Sequence, residues 1–203
     1  VNFWRRGDDV FRRLASGEMH KLIGKPLLAN VIYGNGILNN GLHMIDFCRM
    51  LFGKICSVQL IHSTSVVDGP IENDRNISFV LTFESDLNVV FMPIEFLHYR
   101  ENGLVVWGQH GRLEVMNEGL VIRHYPMRTN RAMQNEFEIA SDSPRSIVST
   151  VGSALFEMYE NLSTAISSGD QGILYSGGSS ALASTFAMHS IFGHSGSSVL
   201  DLH

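Results

Sequence analysis

The stretch YGNGILNNGLHMIDFCRMLFG, residues Tyr33 to Gly53, changes character half-way along. Its first half is glycine and asparagine, the composition of a loop. Its second half is apolar at helical spacing, with Met44, Ile45, Cys48, Leu51 and Phe52 on one side and His43 and Asp46 on the other. Asn39 or Asn40 is expected to cap this helix, Phe52 to end it, and Gly53 to occupy the position just beyond. Upstream, Leu27 to Tyr33 is an apolar, strand-like run. Strand, loop and helix in this order suggest a dinucleotide turn, but Gly34-x-Gly36 lacks its third glycine: Gly41 comes two residues late. On spacing alone, His43 and Asp46 read in two ways. One is a solvated stripe in which Asp46 and Arg49 form a surface pair of little energetic weight. The other is a site in which a carboxylate orients a histidine, the side chain that changes charge near neutral pH.

Outward from this stretch the patterns are simpler. Asp8 to Gly17 reads as a short helix that the glycine ends. From Ile77 to Phe83 apolar residues alternate with smaller or polar ones, the period of a half-buried strand. A turn at Ser85-Asp86-Leu87 leads into a second strand, Asn88 to Phe96, in which Pro93 signals an edge or a bulge. Val105 to Trp107, Arg112 to Met116 and Leu120 to Tyr125 follow, joined by turns at Gly108–Gly111 and Asn117–Gly119. Spacing this close leaves no room for crossover helices, so the sheet is expected to be mainly antiparallel. Val151, Leu155, Met158, Tyr159, Leu162 and Ile166 then recur at helical spacing up to Gly169, and a last helix is expected from Ser179 to Phe192. The fold class is therefore α+β: a mainly antiparallel, mixed, open-faced sheet with helices packed on one face. The tail from Gly193 to His203 shows no period.

The 203 residues suffice for one sizeable domain, and 44% hydrophobic against 17% charged residues allows a large core. The net charge of -5 and the scatter of Lys and Arg argue against a nucleic-acid partner. No apolar run is long enough for a membrane span. Cys48 and Cys56 suggest no disulfide framework, which points to a reducing, cytoplasmic setting. Asn76-Ile-Ser78 and Asn161-Leu-Ser163 match the glycosylation pattern by chance in that setting. His98, His110 and His124 lack ligand spacing, so no metal site is expected. No serine sits on a G-x-S-x-G elbow. His194-Ser-Gly196 reads as tail, and Gly177 to Ser180 as a loop and helix cap rather than an anion cradle.

Gly36-Ile-Leu-Asn39-Asn-Gly-Leu-His43-Met-Ile-Asp46, with Leu51-Phe-Gly53 behind it, resembles a pattern of the glucose–fructose oxidoreductase and inositol dehydrogenase (Gfo/Idh/MocA) family. In that pattern an acidic or amide residue stands four before the His of an H-x-x-D pair. Asn2 to Arg6, Asp74 to Phe83, Gly108 to Glu114, and Ala165 to Gly169 followed by Ala181-Leu182 resemble further parts of its second domain. The resemblance implies a domain of the dihydrodipicolinate-reductase-like C-terminal type, spanning residues 1–203. The Rossmann domain that binds NAD or NADP would lie outside this chain, and no cofactor would bind to this chain alone. It also implies a sugar, polyol or sugar derivative as substrate, with a homodimer or homotetramer formed through the sheet face. By resemblance His43 is the catalytic proton donor or acceptor. Asp46 orients it or a substrate hydroxyl, while Asn39, Asn35, Tyr33 and Arg5 contact the substrate. Asn39 stands where the family often has an acid and cannot act as a base, which leaves open a non-catalytic sugar-binding or assembly module of the same fold.

Overall fold

The computed structural model describes residues 2–66, 71–129, 138–140, 143–192 and 199–201. The chain opens with a 3-10 turn (Trp4–Gly7) and two short helices, α1 (Asp9–Arg13) and α2 (Met19–Ile23), joined through a widened turn (Leu14–Glu18). Strand β1 (Pro26–Tyr33), a second widened turn (Gly36–Gly41) and helix α3 (Leu42–Phe52) follow. The sheet then builds through β2 (Ile55–Val66), β3 (Arg75–Phe83), β4 (Asn88–Pro93), β5 (Gly103–Gly108), β6 (Gly111–Met116) and β7 (Val121–Thr129). Short strands β8 (Glu138–Ala140) and β9 (Arg145–Ile147) both pair with β7. Helices α4 (Ala154–Ser168) and α5 (Gly178–Phe192) precede β10 (Val199–Asp201), which returns to β2.

Among the described residues the strand order is β10-β2-β3-β4-β1-β5-β6-β7-β8, with β9 beside β7. All neighbours are antiparallel except β1 and β4, which run parallel. The mixed, open sheet expected from the close strand spacing is thus present. The one parallel pair arises because β1, from early in the chain, enters between β4 and β5. Alternation directs Ala29, Val31, Tyr33, Phe79, Leu81, Phe91, Leu104 and Val106 into one core together with Met44, Ile45, Phe47 and Leu51 of α3. Phe79 stacks on Phe91 with centroids 4.4 Å apart, and Phe11 meets Phe47 at 4.6 Å. On the opposite side of the sheet, Val80 pairs with Val90, and Asn30 with both Val90 and Val105. Those side chains are only partly covered.

Several expectations need correction. The first helical region does not stop at Gly17. That glycine takes φ 115° and the chain resumes helical turns as far as Ile23. Met19 and Ile23 are fully buried, and their burial outweighs the cost of a glycine inside a helical segment. Pro93 marks neither an edge nor a bulge: it ends β4, an interior strand, opposite Tyr33. Strands β2, β8, β9 and β10 lie where no strand is predicted, and β10 falls in the tail read as aperiodic. The segment His194 to Gly196 lies outside the described residues.

Helix α4 differs from the rest. It packs through Ala154 and Met158 against the first turn of the chain, where a Cβ on Gly7 would lie 2.3 Å from the Ala154 carbonyl oxygen. Yet Leu155, Phe156, Tyr159, Leu162 and Ile166 are 44% to 73% exposed. The predicted periodicity is real, but the stripe it produces lies open to solvent.

Candidate functional site

The quoted stretch forms one wall of a cavity of about 370 Å³. Asn35, Asn39 and Asn40 come from the turn before α3, and Asn76 from β3. Glu95, Phe96, Leu97 and Arg100, from the segment after β4, form the far wall. Asn35 holds the left-handed conformation, φ 60° and ψ 33°, which asparagine tolerates better than most residues, and this swings the chain from β1 into the turn. The side chains of Asn35, Asn39 and Asn40 have no hydrogen-bond partner among the described residues.

The predicted caps Asn39 and Asn40 do not cap α3. Asp74, just before β3, instead caps the widened turn that leads into α3, from across the fold. Its Oδ1 accepts from the Leu38 N–H at 3.0 Å and its Oδ2 from the Asn39 N–H at 3.2 Å. Asn76 Oδ1 accepts from the Gly36 N–H at 3.1 Å. These bonds leave the asparagine side chains of the turn facing the cavity.

The same contacts settle what the two loop glycines do. A Cβ on Gly34 would lie 2.2 Å from the Phe96 ring, and one on Gly36 1.9 Å from the Asp74 carboxylate. The glycines make room for a ring and an anionic side chain. A carboxylate seated against this turn repels a pyrophosphate, so the loop does not fit a dinucleotide.

His43 lies one turn along from Asn39 on the same side of the helix. It is half-buried, and its ring meets Phe3 edge-on with centroids 5.5 Å apart. Burial lowers its pKa below the ordinary value, and the Arg5 guanidinium adds to this; Asp46 and Glu118 pull weakly the other way. Near neutral pH the imidazole is therefore neutral and able to accept a proton.

Asp46 does not form a solvated pair with Arg49. It is 1% exposed, and Arg6 grips it bidentately, Nε to Oδ2 at 2.8 Å and NH2 to Oδ1 at 2.9 Å. Ser184 of α5 donates to Oδ1 at 2.9 Å. Arg49 instead donates to the Ser180 carbonyl and to Ser184 Oγ, both at 2.8 Å. The carboxylate is thus the hub that ties the first turn, α3 and α5 together, and its hydrogen bonds go to Arg6 and Ser184 rather than to His43. Arg5 is also buried. It pairs with Glu118 at 3.2 Å and lies over the Trp4 ring at 4.3 Å, and burial lowers its pKa to about 10. Tyr33 is fully buried. Its hydroxyl donates to the Ile77 carbonyl at 2.5 Å and accepts from the Ile77 N–H at 3.0 Å, and burial raises its pKa.

The predicted residues therefore separate. Asn35 and Asn39 line the cavity, His43 is not among its lining residues and sits against Phe3 one helical turn from Asn39, and Asp46, Arg5 and Tyr33 hold the frame. Among the described residues no cluster of His, Cys, Asp or Glu could hold a metal ion, and no helix is long and apolar enough to cross a membrane. Sequence reading missed Asn40, Asn76, Glu95 and Arg100. Asn40 was adjacent to a predicted residue, whereas Glu95 and Arg100 follow a strand end with no pattern to mark them.

Residues 27–114 match the family model described as the GFO/IDH/MocA C-terminal domain. This segment is similar to the GFO/IDH/MocA C-terminal domain. It spans β1 to β6 and so includes both cavity walls and α3. No curated protein matches the chain by sequence. Among solved structures, a levoglucosan dehydrogenase in complex with NADH superposes with a TM-score of 0.74 at 13% identity, covering 100% of this chain and 65% of that one. An NAD-binding oxidoreductase from Klebsiella pneumoniae gives 0.70 at 13% identity, covering 100% and 65%. An oxidoreductase from Agrobacterium radiobacter, in complex with NAD+, L-tartaric acid and magnesium, gives 0.65 at 13% identity, covering 97% and 62%. The fold of these structures thus extends over the whole chain, which spans less than two thirds of the length of each.

Proposed function

We propose that this chain is the substrate-binding and oligomerisation domain of an NAD- or NADP-dependent oxidoreductase that acts on a sugar, polyol or sugar derivative. The observation that carries the reading is His43, neutral and half-buried, one helical turn from an amide-lined cavity. Oxidising an alcohol removes a hydride and a proton, and the residues of this chain are suited to the proton. His43 takes it from the substrate hydroxyl as a general base. Asn39 and Asn35 orient the substrate through hydrogen bonds, and Asp46, Arg5 and Tyr33 position the helix and strand that carry them. The Gly34–Gly36 turn does not fit a dinucleotide, so the cofactor belongs to a separate Rossmann domain of a cytoplasmic enzyme, and this chain alone binds none. The half-covered sheet face, with Ile32, Val90, Met92, Val105 and Trp107, is the surface for a dimer or tetramer.

The test uses the natural full-length protein with a panel of sugars and polyols. His43→Ala is expected to lower kcat by about 10²-fold or more, the usual worth of a general base, while leaving cofactor affinity unchanged. An unchanged kcat rejects the assignment. One observation favours a second reading, a binding module without chemistry: Asn39 is an amide and cannot share the proton. Absence of nicotinamide reduction with every compound, together with retained sugar binding, would select it.

A further inference from the structure

The walls of the cavity differ in charge. One carries neutral amides, each able to donate two hydrogen bonds and accept at one oxygen, and Asn35, Asn39 and Asn40 have these groups unengaged among the described residues. The other carries one carboxylate and one guanidinium. Arg100 is drawn away toward Glu118, 3.6 Å from its Oε1, and lies 5.9 Å from the Phe96 ring centroid. Glu95 has no ion-pair partner among the described residues, although its backbone carbonyl closes the turn by accepting from the His98 and Tyr99 N–H groups at 3.0 and 3.1 Å. Glu95 is therefore the charged group on this wall that no ion pair engages among the described residues.

We infer that Glu95 determines specificity: it commits the cavity to an uncharged polyhydroxylated ligand and against the corresponding sugar acid or sugar phosphate. This rests on the assignment of the cavity as the substrate site. Amides hydrogen-bond to hydroxyls and to anions alike, so they cannot make that distinction. A carboxylate can, because its two oxygens accept from neighbouring hydroxyls on a ring or chain and repel a carboxylate or phosphate. Phe96, on the same wall, offers an apolar surface to the C–H face of such a ligand.

Saturation-transfer NMR and titration calorimetry on the natural full-length protein, with no cofactor added, test this without turnover, so the outcome is separate from the catalytic role of His43. The neutral probes are D-glucose, D-galactose and myo-inositol; the anionic probes are D-gluconate, D-galactonate and D-glucose 6-phosphate. At least one neutral probe is expected to bind about tenfold more tightly than its anionic counterparts, the scale of an unfavourable like-charge contact. Glu95→Gln keeps the shape, is on an exposed side chain, and should shrink that preference to about threefold or less. Asn40→Leu should abolish transfer to every probe while leaving the thermal melting curve close to that of the wild type. Equal or tighter binding of the anions, a preference unchanged in Glu95→Gln, or no transfer to any neutral probe overturns the inference.

Discussion

Helices α3 and α4 carry apolar stripes of comparable strength, yet they end in opposite environments. Helix α3 buries Met44, Ile45, Phe47 and Cys48 completely and takes a charged side chain, Asp46, down with them. Helix α4 buries Ala154 and Ala165 and leaves its large residues in water. The difference lies in what each helix faces. Between α3 and the sheet there is a deep apolar layer, and α5 and Arg6 close over the remaining polar side. Helix α4 rests on the first turn of the chain through Ala154 and Met158 and is tied to the segment after it through Asn161, contacts that cover little of its apolar side. Periodicity therefore identifies a helix and its apolar side, but the rest of the fold decides whether that side is covered.

The largest effect that would sharpen this contrast is truncation on the two stripes. Phe47→Ala should cost about 3–5 kcal/mol in denaturant unfolding, through lost transfer energy and the cavity left behind. Leu162→Ala should stay within about 0.5 kcal/mol, as at exposed sites generally. A loss of several kcal/mol for Leu162→Ala would break the comparison by showing that the α4 stripe is covered in solution. Next comes Asp46→Ala, expected to cost about 3 kcal/mol because it leaves Arg6 half-buried without its bidentate partner. A change under about 0.5 kcal/mol would place Asp46 among ordinary surface carboxylates.

The smallest effect is the pH dependence contributed by His43. Burial, then Arg5, holds its pKa in the folded protein below that in the unfolded chain. The unfolded chain consequently takes up the proton first as the pH falls, so stability decreases below about pH 6.5 and is fully present above it. His43→Gln should flatten that part of the curve of unfolding midpoint against pH; the contribution of His124, whose pKa is also lowered, would remain. An identical slope in the variant would mean that His43 is as solvated as the α4 stripe.

Much of this architecture was legible in local patterns. The alternation of β3, the turns at Gly108–Gly111 and Asn117–Gly119, and the glycine ending α3 all depend on neighbours in sequence, and the structure contains them. Strand β2 was not legible because its register shifts between Ile55 and Ser57, between Leu60 and His62, and between Ser63 and Val66. Each irregularity breaks the period of two by which a strand is recognised. Strands β8, β9 and β10 are three residues long, too short to show a period. In the site, the positions of Asn35 and Asn39 followed from the loop itself. The burial of Asp46 did not, because Arg6 and Ser184 reach it from 40 residues upstream and 138 downstream. The cap from Asp74 was hidden for the same reason.

The insertion of β1 between β4 and β5 also bears on how the chain assembles. β2, β3 and β4 form one meander and β5, β6 and β7 another, each able to pair with little loop closure. Neither meander pairs with the other. Val31 joins them, meeting Phe91 on one side and Leu104 on the other. Such distant pairings are entropically expensive to form and tend to set the folding rate. The strand that leads into the cavity is thus the clasp between two locally folding halves, and the asparagine wall takes shape only when that clasp closes.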